Sequence, residues 1–278
     1  TAKRDFWMQV ADRVKIDSLE TPPVRGNILS SDGQLMASSL PQYKLYLDFR
    51  AMRAAGKDTL FVQKLDSICM GLNYIFPEQS ADEFRQHLME GLEKNKAHWP
   101  IWKRRVNYST YSEVKKLPVF RLRKNSSGFH VEEFNARKLA YGSLAQRTIG
   151  KMYGEIDSAQ CGLELHFDSL LRGDKGIRHR RKILNRYLYL TDTPPEDGAD
   201  IVTTIDVSMQ DLAERSVLKE LYKIDGNVGV AIVMEVATGD VKAIVNLTKC
   251  ADGSYQEIQN HAVSDLLEPG SVFKTASI

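Results

Sequence analysis

Near the end of the chain stands Glu268-Pro269-Gly270-Ser271-Val272-Phe273-Lys274. A turn signal, Pro269-Gly270, is followed by Ser-x-x-Lys on what can continue as a helix. Positions i and i+3 of a helix share a face, so Ser271 and Lys274 are predicted to point the same way. A serine hydroxyl becomes a useful nucleophile when a neighbour removes its proton. A lysine can do this only when neutral, and roughly 0.04 % of free lysine is neutral at pH 7. Desolvation or a nearby cation must therefore lower its pKa by about 2–3 units. A serine at a helix start also has backbone N–H groups beside it, as an oxyanion hole requires. The chemistry this allows is acyl transfer, with Ser271 as nucleophile and Lys274 as general base. The same spacing also describes an ordinary amphipathic helix start with a solvated lysine.

The elements that must position this pair are legible in the carboxy-terminal third. Asp200–Asp206 reads as a strand, and Ser208-x-x-Asp211 as the cap of a helix over about 209–223, with Leu212, Val217, Leu218 and Leu221 toward a core. Val228–Val236 and Asp240–Leu247 read as two strands joined by Ala237-Thr238-Gly239. The first is the longest apolar run and is predicted to be a buried strand. Thr193-Pro194-Pro195-Glu196-Asp197-Gly198 is the best candidate boundary, giving domains over 1–195 and 196–278.

Upstream, residues 5–18 are expected to form a short helix ended by Pro22-Pro23. Asp32-Gly33 marks a hairpin, and Tyr43–Phe49 alternates as a strand. Helices are predicted over 58–75 and over 81–94, the latter opened by the capping box Ser80-x-x-Glu83. Trp102–Ser109 and Phe129–Phe134 read as strands, with a short helix from Thr110-x-x-Glu113 between them. In Cys161–Gly173 a helix should pack through Leu163, Phe167, Leu170 and Leu171. The basic run Arg178–Lys182 is read as a solvated strand edge rather than a nucleic-acid patch.

Composition sets broad limits. The chain has 278 residues, 42 % apolar and 27 % charged, with net charge +2, as in a globular protein with no polyanion partner. Cys69, Cys161 and Cys250 lie far apart, and the histidines have no paired ligand spacing, so no metal or cofactor is expected. No apolar run reaches the roughly 18 residues that span a bilayer, and there is no signal-peptide pattern. The chain starts at Thr1 and stops at Ile278, and both ends are read as cut from a longer protein.

Asn260-His261-Ala262 followed by Glu268–Lys274 resembles the nucleophile segment of the penicillin-binding proteins, usually Asn-Arg-Ala and then Glu-Pro-Gly-Ser-Thr-Phe-Lys. His261 and Val272 are departures that spare the reacting groups. Arg25-Gly26-Asn27-Ile28 with Gly33 and Ala37 is similar to the segment opening the non-catalytic domain of the class B members. Gly162-Leu163-Glu164 through Gly173 matches a further family helix. Arg137–Gly150 matches in part, with Ala140 where proline is usual. The resemblance implies an α+β fold: an extended, dimerisation-type pedestal, then the start of a β-lactamase-like transpeptidase domain. It further implies a D,D-transpeptidase that cross-links peptidoglycan stem peptides, is acylated by β-lactams, and works at the extracytoplasmic, periplasmic face of the membrane. A membrane anchor outside this chain, and divisome or other cell-wall synthesis partners bound through the pedestal, follow from the same resemblance, with a division role favoured over elongation. The family's Ser-x-Asn and Lys-Thr-Gly motifs do not occur in the sequence, so these 278 residues alone are expected to be inactive. The rival readings are a serine β-lactamase or β-lactam sensor, and a non-enzymatic cell-wall scaffold.

Overall fold

The computed structural model describes residues 17–154, 158–183 and 186–277. The fold mixes helices and sheets, and the chain divides into two compact units: Leu40–Ala136, and Thr1–Ser39 together with Arg137–Ile278. No helix among the described residues is long and apolar enough to cross a membrane.

The Leu40–Ala136 unit is entered along the strand Leu35–Leu47 and left along Phe129–Leu139, which pairs with it. Tyr43, Leu45 and Leu47 are buried in the two-residue period of a strand with one face inward. Asp48 then caps the helix Phe49–Ala54 by accepting the Ala51 N–H at 2.9 Å. Helix Asp58–Ile75 buries Phe61, Leu65, Ile68 and Leu72 against Phe84 and Leu88 of helix Ala81–Glu93, which opens with the expected capping box. The strand expected over 102–109 does not form. Only Val106 makes a bridge, to Tyr43, and the paired strand is the short Trp99–Pro100. Asn107, not Thr110, caps the following helix, Tyr108–Lys115, through an acceptor bond from the Thr110 N–H. The helix therefore consumes the end of the predicted strand.

In the other unit, most of the helix expected over 5–18 lies outside the described residues. Its last two positions belong to a strand, Asp17–Thr21. That strand pairs with Gly176–Ile183, which pairs in turn with Arg186–Thr193, all antiparallel. The first three residues of the basic run, Arg178–Arg180, are thus paired on both sides and not on an edge, while Arg181 and Lys182 pair only with the Arg186–Thr193 strand among the described residues. The Asp32-Gly33 turn is as expected, with Gly33 at φ +81°. Ile28–Leu29 pairs antiparallel with Leu35–Ala37 and parallel with Ile201–Val202. The strand expected over 200–206 shortens to those two residues, since Asp206 turns to cap the next helix, Val207–Ile224, in place of Ser208.

A buried ion network ties these segments together. Arg25 donates from Nε to Glu164 Oε2 at 2.9 Å and from Nη1 to Asp168 Oδ1 at 2.7 Å, and Arg137 Nε donates to Glu164 Oε1 at 2.6 Å. The Arg25, Arg137 and Glu164 side chains are 4 %, 8 % and 1 % exposed. Beside it the backbone runs so close that a Cβ on Gly26 would lie 2.1 Å from the Ala199 carbonyl oxygen, and one on Gly198 1.8 Å from that of Leu171. Glu164 and Asp168 come from the segment predicted as one helix. It is two short ones, Gly162–His166 and Asp168–Arg172, with Leu171 buried but Leu170 exposed, contrary to the predicted face.

Gln210 of the Val207–Ile224 helix is fully buried. Its amide donates to the Ile244 carbonyl at 2.9 Å and accepts the Ile244 N–H at 2.8 Å, clamping the helix to strand Val241–Lys249. Leu221, Val245 and Leu247 form the core there, and Leu212 is exposed rather than buried. Val228–Met234 pairs with Val241–Thr248 as expected, but among the described residues it is an edge strand. Val228, Val230, Ile232, Val233 and Met234 are all exposed, so the buried strand of the sequence reading is corrected.

Removing one partner of a buried ion pair costs about 3–5 kcal/mol, because the opposite charge keeps its desolvation cost. Glu164→Ala should lower the stability of the chain by that amount, measured as a shifted denaturant midpoint at unchanged slope, while Glu220→Ala, on an exposed surface, should shift it by less than about 0.5 kcal/mol.

Candidate active site

The segment bearing Ser271 is held from the sheet outward. Strand Tyr255–Gln256 pairs with Thr248–Lys249, and the short helix His261–Ser264 follows. Asn246, buried within the apolar run Ala243–Leu247 of its strand, accepts the Ala262 N–H on Oδ1 at 2.8 Å. Thr248 Oγ1 and His261 Nε2 are 2.8 Å apart, and His261 Nδ1 is 2.7 Å from Asp265 Oδ2. The hydrogen bond from His261 holds the Asp265 carboxyl below its ordinary range. His261 therefore fastens this segment to the strand, a physical role for the residue standing where the family has arginine.

Beyond Asp265 the chain reaches the predicted site. Gly270 has φ +53°, in the left-handed region that favours glycine, and open space where a Cβ would be. Gly270–Phe273 is a 3-10 turn, not the α-helix expected, and Lys274–Ser277 continues as one helical turn. The Lys274 N–H bonds to the carbonyls of Ser271 and Val272. In a 3-10 turn residues i and i+3 eclipse each other. Within this turn that relation joins Gly270 and Phe273, and Lys274 begins the helical turn three positions after Ser271. Both residues are exposed, as are their apolar neighbours Leu266, Leu267, Val272 and Phe273. A lysine base needs a dry site, and these exposed apolar side chains are the material from which a covering element could make one.

Two residues that the sequence reading passed over lie behind this segment. Glu257 is 4 % exposed and accepts the backbone N–H of Arg147 at 2.9 Å and of Asn246 at 3.3 Å. It links the start of helix Gln146–Ile149 to the sheet that carries the nucleophile segment. Burial pushes its carboxyl up to about 7, against those two donors, with the charge of Glu214 adding to the rise. Glu214 is itself raised by burial and by Asp211. Asn246 carried a sequence signal, a polar residue inside an apolar strand. Glu257 carried none.

Against this geometry the relatives can be placed. Residues 20–203 match the family described as the penicillin-binding protein dimerisation domain, and the chain belongs to that family, on the class B side of the penicillin-binding proteins. It is 25 % identical over 289 aligned positions to the probable peptidoglycan D,D-transpeptidase PenA of Neisseria gonorrhoeae, covering 99 % of this chain and 45 % of the relative. It is also 25 % identical to the peptidoglycan D,D-transpeptidase FtsI of Escherichia coli K12, covering 97 % and 44 %. The crystal structure of penicillin-binding protein 2X from Streptococcus thermophilus superposes with a TM-score of 0.61 at 18 % identity, over 89 % of this chain and 37 % of that one. The chain spans a little under half the length of these curated relatives.

The raised Glu257 carboxyl has a definite sign. A group that binds its proton more tightly in the folded state contributes stability below its unfolded pKa, and this is lost as pH rises through the folded value. Between pH 5 and pH 8 the wild-type chain should therefore lose up to about 3 kcal/mol relative to Glu257→Gln. Parallel denaturation curves for the two proteins across that range check this; curves that keep a constant separation contradict it.

Proposed function

We propose that the whole protein is a peptidoglycan D,D-transpeptidase with Ser271 as its nucleophile and Lys274 as its general base. Residues 1–195 are its pedestal and residues 196–278 open its catalytic domain. The observation that supports this reading is Ser271 on the 3-10 turn after a left-handed Gly270 and Lys274 opening the next helical turn three residues on, in a chain of this family. In the reaction Lys274 Nζ takes the Ser271 Oγ proton as Oγ attacks the carbonyl of a D-Ala-D-Ala stem peptide. The terminal D-Ala leaves with a proton on its amine, and an ester to Ser271 remains. The amine of a second stem peptide then attacks that ester, forming the cross-link and returning the proton to Oγ. A β-lactam follows the first half: its ring amide opens on Ser271 and the leaving nitrogen stays tethered.

The reading extends to an extracytoplasmic location, anchored by a segment outside the chain, and to partners in cell-wall synthesis. Similarity to FtsI favours division. The Ser-x-Asn and Lys-Thr-Gly motifs are not within these 278 residues, so the exposed turn is not expected to react at a useful rate without the rest of the cleft.

Labelling with a fluorescent penicillin tests this directly. The whole extracytoplasmic protein should label, its Ser271→Ala variant should not, and Lys274→Ala should acylate about 10²–10⁴-fold more slowly. The 278-residue chain alone should not label. Undiminished labelling of Ser271→Ala would overturn the assignment.

A further inference from the structure

Glu257 stands at a junction that the acyl-transfer steps leave unused. Its carboxyl, buried, takes one backbone N–H from each of two segments far apart in sequence. One is Arg147, on the short helix Gln146–Ile149, at 2.9 Å, and the other is Asn246, in strand Val241–Lys249, at 3.3 Å. In the division proposed above, Arg147 belongs to the pedestal and Asn246 to the catalytic part, and both lie in one compact unit. Asn246 also anchors the nucleophile segment, since its Oδ1 accepts the Ala262 N–H at 2.8 Å. Ala262 is the root from which the exposed stretch to Ser271 extends. Asn246 alone therefore links the Glu257 carboxyl to that root.

The helix side of the junction is strained. Ala145, fully buried, has φ +50°, an unfavourable region for a residue with a Cβ that persists where its surroundings hold it. Glu257 takes the N–H two residues further on. The Ala145 N–H in turn draws down the carboxyl of Glu214, on helix Val207–Ile224.

Glu214 and Glu257 form a pair. Glu214 lies close enough for its charge to raise the Glu257 carboxyl. Its Oε2 is buried and has no hydrogen-bond partner among the described residues. Neither carboxyl has a cation partner there. Asp211, which also raises Glu214, is paired with Arg215, and the Arg147 guanidinium turns to Cys161 Sγ at 3.3 Å. Strand Val241–Lys249 offers the pair only the neutral Asn246. Ionisation would strengthen the two N–H bonds to Glu257, but burial and the Glu214 charge outweigh them and push its carboxyl up to about 7. A proton on one carboxyl removes the repulsion, and its O–H can serve an acceptor such as Glu214 Oε2 that otherwise has no donor.

We propose that Glu257 is a positioning residue for the acylation of Ser271, and that Glu257 and Glu214 hold one proton between them that keeps the Ala145–Ile149 turn fastened to Asn246. With the proton in place, the turn and the strand are tied through a neutral group. When solvent removes it, two buried carboxylates repel, the tie loosens, and the segment rooted at Ala262 loses its fixed point. The inference rests on the Ser271 reading.

The test is the second-order rate of acylation by benzylpenicillin, measured on the whole protein between pH 5.5 and pH 8.5, well below its thermal midpoint. Glu257→Gln cannot ionise. It gives up one acceptor, which lowers its rate by a constant factor, and the titration of Lys274 is common to both proteins. The ratio of wild-type to Glu257→Gln rates should therefore fall at least about threefold across this range. Glu214→Gln removes the second charge and should move the wild-type fall to higher pH, which a merely structural Glu257 would not do. Amide hydrogen exchange at Arg147 and Ala262, taken relative to Glu257→Gln, should quicken in wild type over the same range. A rate ratio that is constant with pH, or a Glu214→Gln profile that does not move, would overturn the proposal. If no protein acylates at any pH, the Ser271 reading fails, and exchange then decides the tie by itself: relative exchange that is constant with pH would overturn it.

Discussion

Glu164 holds the fold of the larger unit together. One buried carboxylate is shared by Arg25, 139 positions upstream, and Arg137, 27 positions upstream. Arg137 is also the first residue of the chain on its return to this unit. Two charge-assisted hydrogen bonds on opposite oxygens, with Asp168 taking a further Arg25 N–H, compensate the desolvation that would make any one of these charges costly alone. Such a network tolerates little displacement. It therefore fixes where the chain enters, where it returns after 97 intervening residues (Leu40–Ala136), and where the two short helices sit. The side-chain-free backbone at Gly26 and Gly198 lets the segments close around it.

From that junction a continuous set of contacts within one unit leads to the nucleophile turn. Ile28–Leu29 pairs with Ile201–Val202, and the Ser31 N–H bonds to the Ile205 carbonyl at 2.8 Å. Asp206 caps the long helix, Gln210 clamps that helix to the central strand, and Asn246 of that strand holds the Ala262 N–H. Glu257 adds a second tie, from the strand to helix Gln146–Ile149. The buried polar bonds thus reach the short helix His261–Ser264, whereas the segment beyond it, with Leu266, Leu267, Ser271 and Phe273, is exposed.

Local signals in the sequence were read well where one physical effect dominated. The helices Asp58–Ile75 and Ala81–Glu93 follow from their apolar period, and the Ser80–Glu83 box marks the second start. Errors arose where two local solutions competed. Asn107 and Thr110, and likewise Asp206 and Ser208, each offered a cap, and the upstream residue won both times, lengthening the helix and shortening the preceding strand. The apolar run at Val228 identified a strand but could not say whether anything covers it. The ion network was illegible because its members are far apart in sequence. Arg25 and Glu164 were noticed only through a family resemblance, which assigned the Glu164 helix a structural role without its partners. Ser271 and Lys274 are singled out by motif alone, and the change from a 3-10 turn at Gly270–Phe273 to a helical turn at Lys274 could not be read from spacing.

The central claim is that Ser271 is the residue that becomes acylated. The most direct test is to react the whole protein with benzylpenicillin, digest it, and locate the adduct by tandem mass spectrometry. The account predicts a single penicilloyl ester, on the peptide that spans Gly270–Lys274 and on Ser271 within it. An adduct on another residue, or none on a folded protein, would contradict it.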